Sequence, residues 1–431
     1  MMDVEILIRA DTSLMNENGL SDLEVTYRDE CSLKRSALRY SKKNIIKNLL
    51  IVSICSLLVQ SSKSPNLFKS IDFLYSNLII ELSPGLAMNQ NVILAFNVVL
   101  VFLNSFIIPQ LLVLRFGSKN TILISFLSYF IFIISKLCNL KYFNELVFGN
   151  SFFIGSLVYV KEISNIFSRY SYQSDLKINF VFYSIFISLN FTSVFFSKFI
   201  YNKFLIITKS WLFVHGLTLI LIFMAIFLCV FFMDSFNEKQ PKFLVANINQ
   251  LKNKYQLLIV PLTFYLGLLN LFLSKTLNVS IQISNDFYSI LIVFLLIVII
   301  MSIFILIGRL LSPNLNFIFA IFLNYLALIL MFMVKDCQIF SNLIFFCKIY
   351  PTLLSLALLT LDMSLCIFYA YILSKNTAIC FAHYFLWRSI GTLILPFVNF
   401  LFVYELFFLI FNLTVGLFLL FLIIYYLNEQ I

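Results

Sequence analysis

Charge is what this sequence has least of. Asp, Glu, Lys and Arg make up 12% of its 431 residues, while 61% are hydrophobic. Soluble domains carry about 25% charged residues. A chain with half that cannot cover a water-exposed globule, and its mean hydropathy of +0.98 agrees. The apolar runs are long and uniform rather than alternating, which excludes a strand-built membrane barrel. Histidine is nearly absent: His215 and His383 are the two, and neither has an acidic neighbour. The 8 cysteines include no C-x-x-C pair, so they form neither a metal knuckle nor a disulfide framework, and they read as apolar packing. No Gly-rich phosphate loop, nucleophile motif, metal triad or paired carboxylate is present. Nothing here builds an enzyme, and no cofactor or metal is expected.

What remains is an all-α polytopic membrane protein. At roughly 30 residues per helix and loop, the chain has room for about twelve transmembrane helices after a polar tail. The net charge of +10 does not point to nucleic acid. Membrane proteins gather Lys and Arg on cytoplasmic loops, and no basic, aromatic-interleaved soluble domain occurs. The tail, residues 1–43, is acidic before Cys31. It then turns basic through Lys34, Arg35, Arg39, Lys42 and Lys43, with Lys47 just beyond. It holds no signal peptide. The basic cluster abuts the first apolar run and places the N-terminus in the cytoplasm.

Six spans follow in 44–234: Ile45–Leu67, Leu82–Leu114, Asn120–Ser135, a span centred on Leu146–Val160, Ile178–Ser197 and Ser210–Met233. The polar break 235–254 reads as a cytoplasmic linker. Six more spans occupy 255–431: Tyr255–Ser274, Phe287–Gly308, Leu310–Val334, Leu343 to about Ile367, Thr377–Asn399 and Leu406–Asn428. An even count returns the C-terminus to the cytoplasm. Lys and Arg lean to the loops this topology calls cytoplasmic, with Lys198, Lys203 and Lys209 the main exceptions.

The stretch Phe106–Tyr129 organises the first half. One apolar run ends at Leu114, the basic turn Arg115-Phe116-Gly117-Ser118-Lys119 follows, and a second run begins. In a bilayer this is two spanning helices joined by a short loop. A weaker echo, Phe304–Phe322 with Arg309 after Gly308, points to two six-helix halves of a duplicated, transporter-type architecture.

Three blocks resemble the uncoordinated-ninety-three (Unc-ninety-three-like) family, an atypical branch of the major facilitator superfamily. The first is Lys47–Ser62, a Lys-Asn-hydrophobic start with a Gln-Ser-Ser end. The second is Pro109 through Gly117-x-Lys119-x-Thr121, then Ser125 and Tyr129. The third is Ala382-His-Tyr384-Phe-Leu386-Trp387, followed by Gly391. The residue after that Trp, often acidic in the family, is Arg388 here. The resemblance implies a regulatory or trafficking partner of other membrane proteins, with a potassium channel or receptor subunit as its partner. A solute carrier working by alternating access is the competing class, with a small solute as its ligand.

The candidate residues follow from these readings. Arg115, Gly117, Lys119 and Arg309 form the latch loops, whose cations could dock on helix ends. Charged or polar groups inside spans are site candidates because they are costly there unless paired or wet. Gln60, Asn104, Asn270, Asp362 and Arg388 form that set, with Asp362 and Arg388 expected to pair across adjacent helices. Lys161 and Glu162 read as snorkelling to the interface, and Trp387 as an anchor packed between helices. Asn278, in the loop after the seventh span, is the candidate glycosylation site. The protein is expected in the plasma membrane or an endomembrane, with the lipid bilayer as its constant partner.

Overall fold

The structure is a computed structural model. It describes residues 41–62, 102–137, 149–171, 175–208, 211–236, 252–283, 313–336, 343–372 and 376–394, with Val99, Asn247, Gln250 and Ile410 besides. The regular elements among them are all helical: α1 Lys42–Ser62, a π-helical turn Leu103–Ile107, α2 Ile108–Leu137, α3 Gly149–Ser171, α4 Asp175–Thr208, α5 Trp211–Phe232, α6 Lys254–Ile283, α7 Pro313–Asp336, α8 Leu343–Ile372 and α9 Thr377–Ile394. α2 is two arms meeting at Gly117, whose backbone (φ 82, ψ 167) is not helical. Ten of the twelve expected spans are thereby represented. The eighth, and the twelfth apart from Ile410, lie outside the described residues, as does Arg309.

Local chemistry sets several helix starts. Ser41 Oγ accepts the Asn44 N–H at 3.3 Å, capping α1. Asn253 Oδ1 accepts the Tyr255 N–H at 3.0 Å, capping α6. Asp175 sits in the first turn of α4, where a carboxylate meets the positive end of the helix. Elsewhere the helices outrun the sequence limits. α3 continues to Ser171, α4 to Thr208 and α6 to Ile283. Lys198 and Lys203 therefore ride on α4 rather than on a loop, and Asn278 falls inside α6 rather than after it. The reason is physical: a polar residue does not end a helix whose backbone bonds must all be met internally in lipid.

Packing contacts concentrate in two groups. α1 to α5 pack on one another, as do α6 to α9, and α8 and α9 reach across to α2, α3 and α4. The apolar window of α8, Leu353–Ala370, is 89% buried and central, whereas that of α5, Phe213–Phe232, is 28% buried and peripheral. Ile220, Phe223, Phe227 and Phe231 form an exposed stripe down α5. Such a face suits hydrocarbon, not water.

α6 and α9 cross more closely than side chains allow. A Cβ on Gly267 would overlap the Arg388 carbonyl, and one on Gly391 would overlap the Phe264 carbonyl. Small residues permit such backbone approach where lipid offers no hydrophobic driving force between helices. Gly391, singled out by the sequence, is thus one half of a crossing whose other half, Gly267, no sequence signal marked.

Candidate functional site

The basic turn folds onto the end of α5. Gly117 supplies the reversal because its φ and ψ lie where a side chain clashes. Thr121 Oγ1 donates to the Gly117 carbonyl at 2.8 Å, and Asn120 Nδ2 to that of Phe116 at 3.0 Å. Lys119 Nζ donates to the Met233 carbonyl, just past α5. A helix C-terminus carries unsatisfied carbonyls and partial negative charge, so the ammonium is matched to it. Tyr159 OH donates to the next carbonyl, Asp234, at 2.9 Å. The Asp234 carboxylate accepts from Asn48 Nδ2 at 2.8 Å and lies 3.9 Å from Lys47 Nζ. Arg115 stands outside this network, exposed, with its guanidinium 6.0 Å from the Phe116 ring centre.

Two further residues at this end correct the snorkelling expectation. Lys161 and Glu162 are buried, and Ser118 Oγ donates to Glu162. α3 runs on for about two and a half turns past Glu162, and its carboxylate packs against the α2 turn. The linker also joins here. Gln110 and Asn247 exchange both amide hydrogen bonds, at 3.2 and 2.8 Å, and both are buried.

The depth of the helices can be aligned from their contacts. Ser164 on α3 meets Asn179 on α4, and Tyr183 OH of α4 donates to the Leu157 carbonyl of α3 at 2.9 Å, so these two run antiparallel. Phe381 of α9 packs on Tyr183 (5.9 Å between ring centres), and Phe385 packs on Phe153 of α3 (5.8 Å). Ascending α9 therefore descends the numbering of α3 and ascends that of α4, making α4 and α9 parallel. Asn190 lies seven residues beyond Tyr183, and Arg388 seven beyond Phe381. Both stand about 10 Å along their helices from the aromatic contact, at one level.

That level is a polar band across the bundle. Arg388 Nη1 bonds both oxygens of Asp362 on α8, each at 3.2 Å, and Tyr384 OH at 3.2 Å. Tyr384 OH in turn donates to Asp362. The two charged side chains keep 18% and 17% of their surface accessible, so the pair is enclosed but not sealed. On the facing helices, Ser56 Oγ of α1 donates to Asn190 Oδ1 at 2.8 Å. Beside them Asn150 Nδ2 donates to Ser105 Oγ at 2.7 Å, and Ser105 and Ser389 share a hydrogen bond of 2.9 Å between α9 and the π-helical turn. Nearer the basic turn, Tyr183–Phe381 and Phe106–His383 (4.8 Å) close the bundle with rings.

The sequence-derived candidates divide against this geometry. Asp362 and Arg388 meet, as the sequence expects. Asn104 and Gln60 are buried, and their amide nitrogens make no hydrogen bond among the described residues. Asn270 is half-buried on α6, three residues past Gly267. Trp387 is half-buried, and its Nε1 makes no hydrogen bond among the described residues. Sequence reading missed Ser56, Asn190 and Tyr384. Asn190 carried a signal as an amide in mid-span, whereas Tyr384 stood in the sequence only as a residue of the third resembling block. No group of His, Cys, Asp and Glu able to hold a metal occurs among the described residues.

The fold is that of the major facilitator superfamily transporters. The human organic anion transporter MFSD10 superposes with a TM-score of 0.59 at 12% identity, covering 88% of this chain and 98% of that one. A bacterial homologue of the iron transporter ferroportin, in an outward-facing state, gives 0.56 at 12% identity, covering 88% and 99%. The E. coli fucose:proton symporter FucP gives 0.56 at 12% identity, covering 87% and 99%. No family model and no curated relative matches the chain.

Proposed function

We propose that the protein is a solute carrier of the major facilitator type, working by alternating access between two halves, 44–234 and 255–431. The observation that carries this reading is the polar band. Asp362, Tyr384 and Arg388 lie at one depth in the bundle with Ser56 and Asn190, and ring contacts pack on the side of the basic turn. A carrier needs a polar, partly accessible site between its halves, shut on one side at a time. The basic turn, the linker 235–254, the tail 1–43 and both termini are assigned to the cytoplasm, in keeping with the positive charge beside the first span.

Purified protein in liposomes tests the reading. Counterflow of a labelled solute is expected. A Tyr183→Cys/Phe381→Cys pair, bridged by a short thiol crosslinker, should abolish it reversibly. Counterflow that persists in the crosslinked protein would refute an alternating gate at that contact.

The second reading is an Unc-ninety-three-like regulator that escorts or modulates a potassium channel or receptor subunit. The observation in its favour is that two residues of the resembling blocks, Lys119 and Gly391, hold structural posts. Lys119 docks on the Met233 carbonyl, and Gly391 makes the α6–α9 crossing. Affinity purification from native membrane decides between them: recovery of a channel or receptor subunit in stoichiometric amount would support the regulator.

A further inference from the structure

The Asp362–Arg388 pair uses its charges in a particular way. All three hydrogen bonds of Arg388 leave from Nη1, and its Nε and Nη2 make none among the described residues. The outer edge of the guanidinium therefore stays open. On the carboxylate, Oδ1 takes Tyr384 OH, Cys366 Sγ and Nη1, whereas Oδ2 takes Nη1 alone. The site thus offers donors on one flank and a spare acceptor on the other.

Its formal charge is balanced. Asp362 contributes one negative charge and Arg388 one positive. Lys161 and Glu162 sit near the basic turn, where Glu162 meets Ser118. The stretches 287–308 and 406–428, read as the eighth and twelfth spans, contain no charged residue. A ligand with net charge would meet a pair whose formal charges cancel and leave its own charge uncompensated there, which costs several kcal/mol inside a membrane. An anion on the open guanidinium edge would also feel Asp362, and a cation on Oδ2 would feel Arg388.

We infer that the site takes a polar solute without net charge, rich in hydroxyl or amide groups. Acceptor oxygens would meet Nε and Nη2 of Arg388, a donor would meet Asp362 Oδ2, and the Ser56–Asn190 pair would serve the far side. This deepens the carrier reading and rests on it.

The test is counterflow in liposomes with three probe sets: neutral (glycerol, inositol, glucose), anionic (lactate, benzoate) and cationic (choline, tetraethylammonium). The wild-type protein should move a neutral probe and neither charged set. Asp362→Asn leaves Arg388 uncompensated and should shift preference toward the anions by about tenfold or more. Arg388→Gln should shift it toward the cations. The double variant Asp362→Asn/Arg388→Gln restores neutrality and should return preference to the neutral set, with cooperative unfolding as the check on folding. Wild-type movement of lactate or choline in preference to every neutral probe would overturn the inference. So would unchanged selectivity in a folded Asp362→Asn protein. Movement of none of the three sets by the wild type would count against the carrier reading itself.

Discussion

The α6–α9 crossing makes a counterintuitive prediction. Replacing a helical glycine by alanine ordinarily stabilises a helix by about 0.8–1.0 kcal/mol. At Gly391 it should do the reverse. The new methyl would overlap the Phe264 carbonyl and sit 3.3 Å from the Gly267 Cα, so the threatened atoms are backbone and cannot rotate away. The helices must separate, and the tight crossing loses contacts along its length. Overpacking of this kind costs about 1–3 kcal/mol. Set against the propensity gain, Gly391→Ala should lose about 0–2 kcal/mol net. Gly216 is the internal control: it lies in α5, and a Cβ there meets nothing within 4 Å. Gly216→Ala should be neutral or gain up to about 1 kcal/mol. The assay is unfolding by dodecyl sulfate in mixed micelles, followed by tryptophan fluorescence, since Trp387 lies one turn from Gly391 on α9. If Gly391→Ala proves as stable as Gly216→Ala, the crossing is looser than described and the argument fails.

Three further outcomes are expected. Gly117→Ala and Gly117→Asn should both cost about 1–3 kcal/mol in the same unfolding assay, because ψ 167 puts the residue outside the left-handed well that asparagine tolerates. Equal stability of the Asn variant and wild type would show that the turn adopts another backbone. Tyr384→Phe removes a donor to Asp362 and should cost about 1.5–3 kcal/mol, as expected for a hydrogen bond to a charged group; a neutral result would mean that the phenol does not hold the carboxylate. Lys119→Met strips the α5 end of its cation and should raise the labelling rate of a Met233→Cys background by a membrane-impermeant thiol reagent. An unchanged rate would release Lys119 from any latch role.

Much of this was legible from the sequence, for reasons that differ by residue. Gly117 betrayed its turn because it sits among cations between two apolar runs, where a tight reversal favours the residue without a Cβ. Asp362 and Arg388 were legible as a pair because one acid and one base in mid-span have few other tolerable fates. Asn190 was not recognised as a site residue. A lone amide in mid-span is only a weak signal, and its role emerges when α4 and α9 are aligned in depth. Gln110 with Asn247 was equally hidden, since one lies in a span and the other in a polar linker 137 residues away. Lys161 and Glu162 misled because hydropathy places a helix end at the first charge, whereas Ser118 provides an interior partner that no local pattern reveals.

The π-helical turn at Leu103–Ile107 has a consequence for alignment along the chain. The Ile108 N–H bonds the Leu103 carbonyl, so this turn spends one residue more than an α-turn does. Each residue in a helix is worth about 100° of rotation. Deleting any one of the five would let the turn relax to α geometry and re-aim the residues within it by up to that angle about the axis. Ser105 would then lose its bearing on Ser389 and Asn150. The second span thus carries a phase offset at the level of the polar band, and single-residue deletions there should be far less forgiving than substitutions.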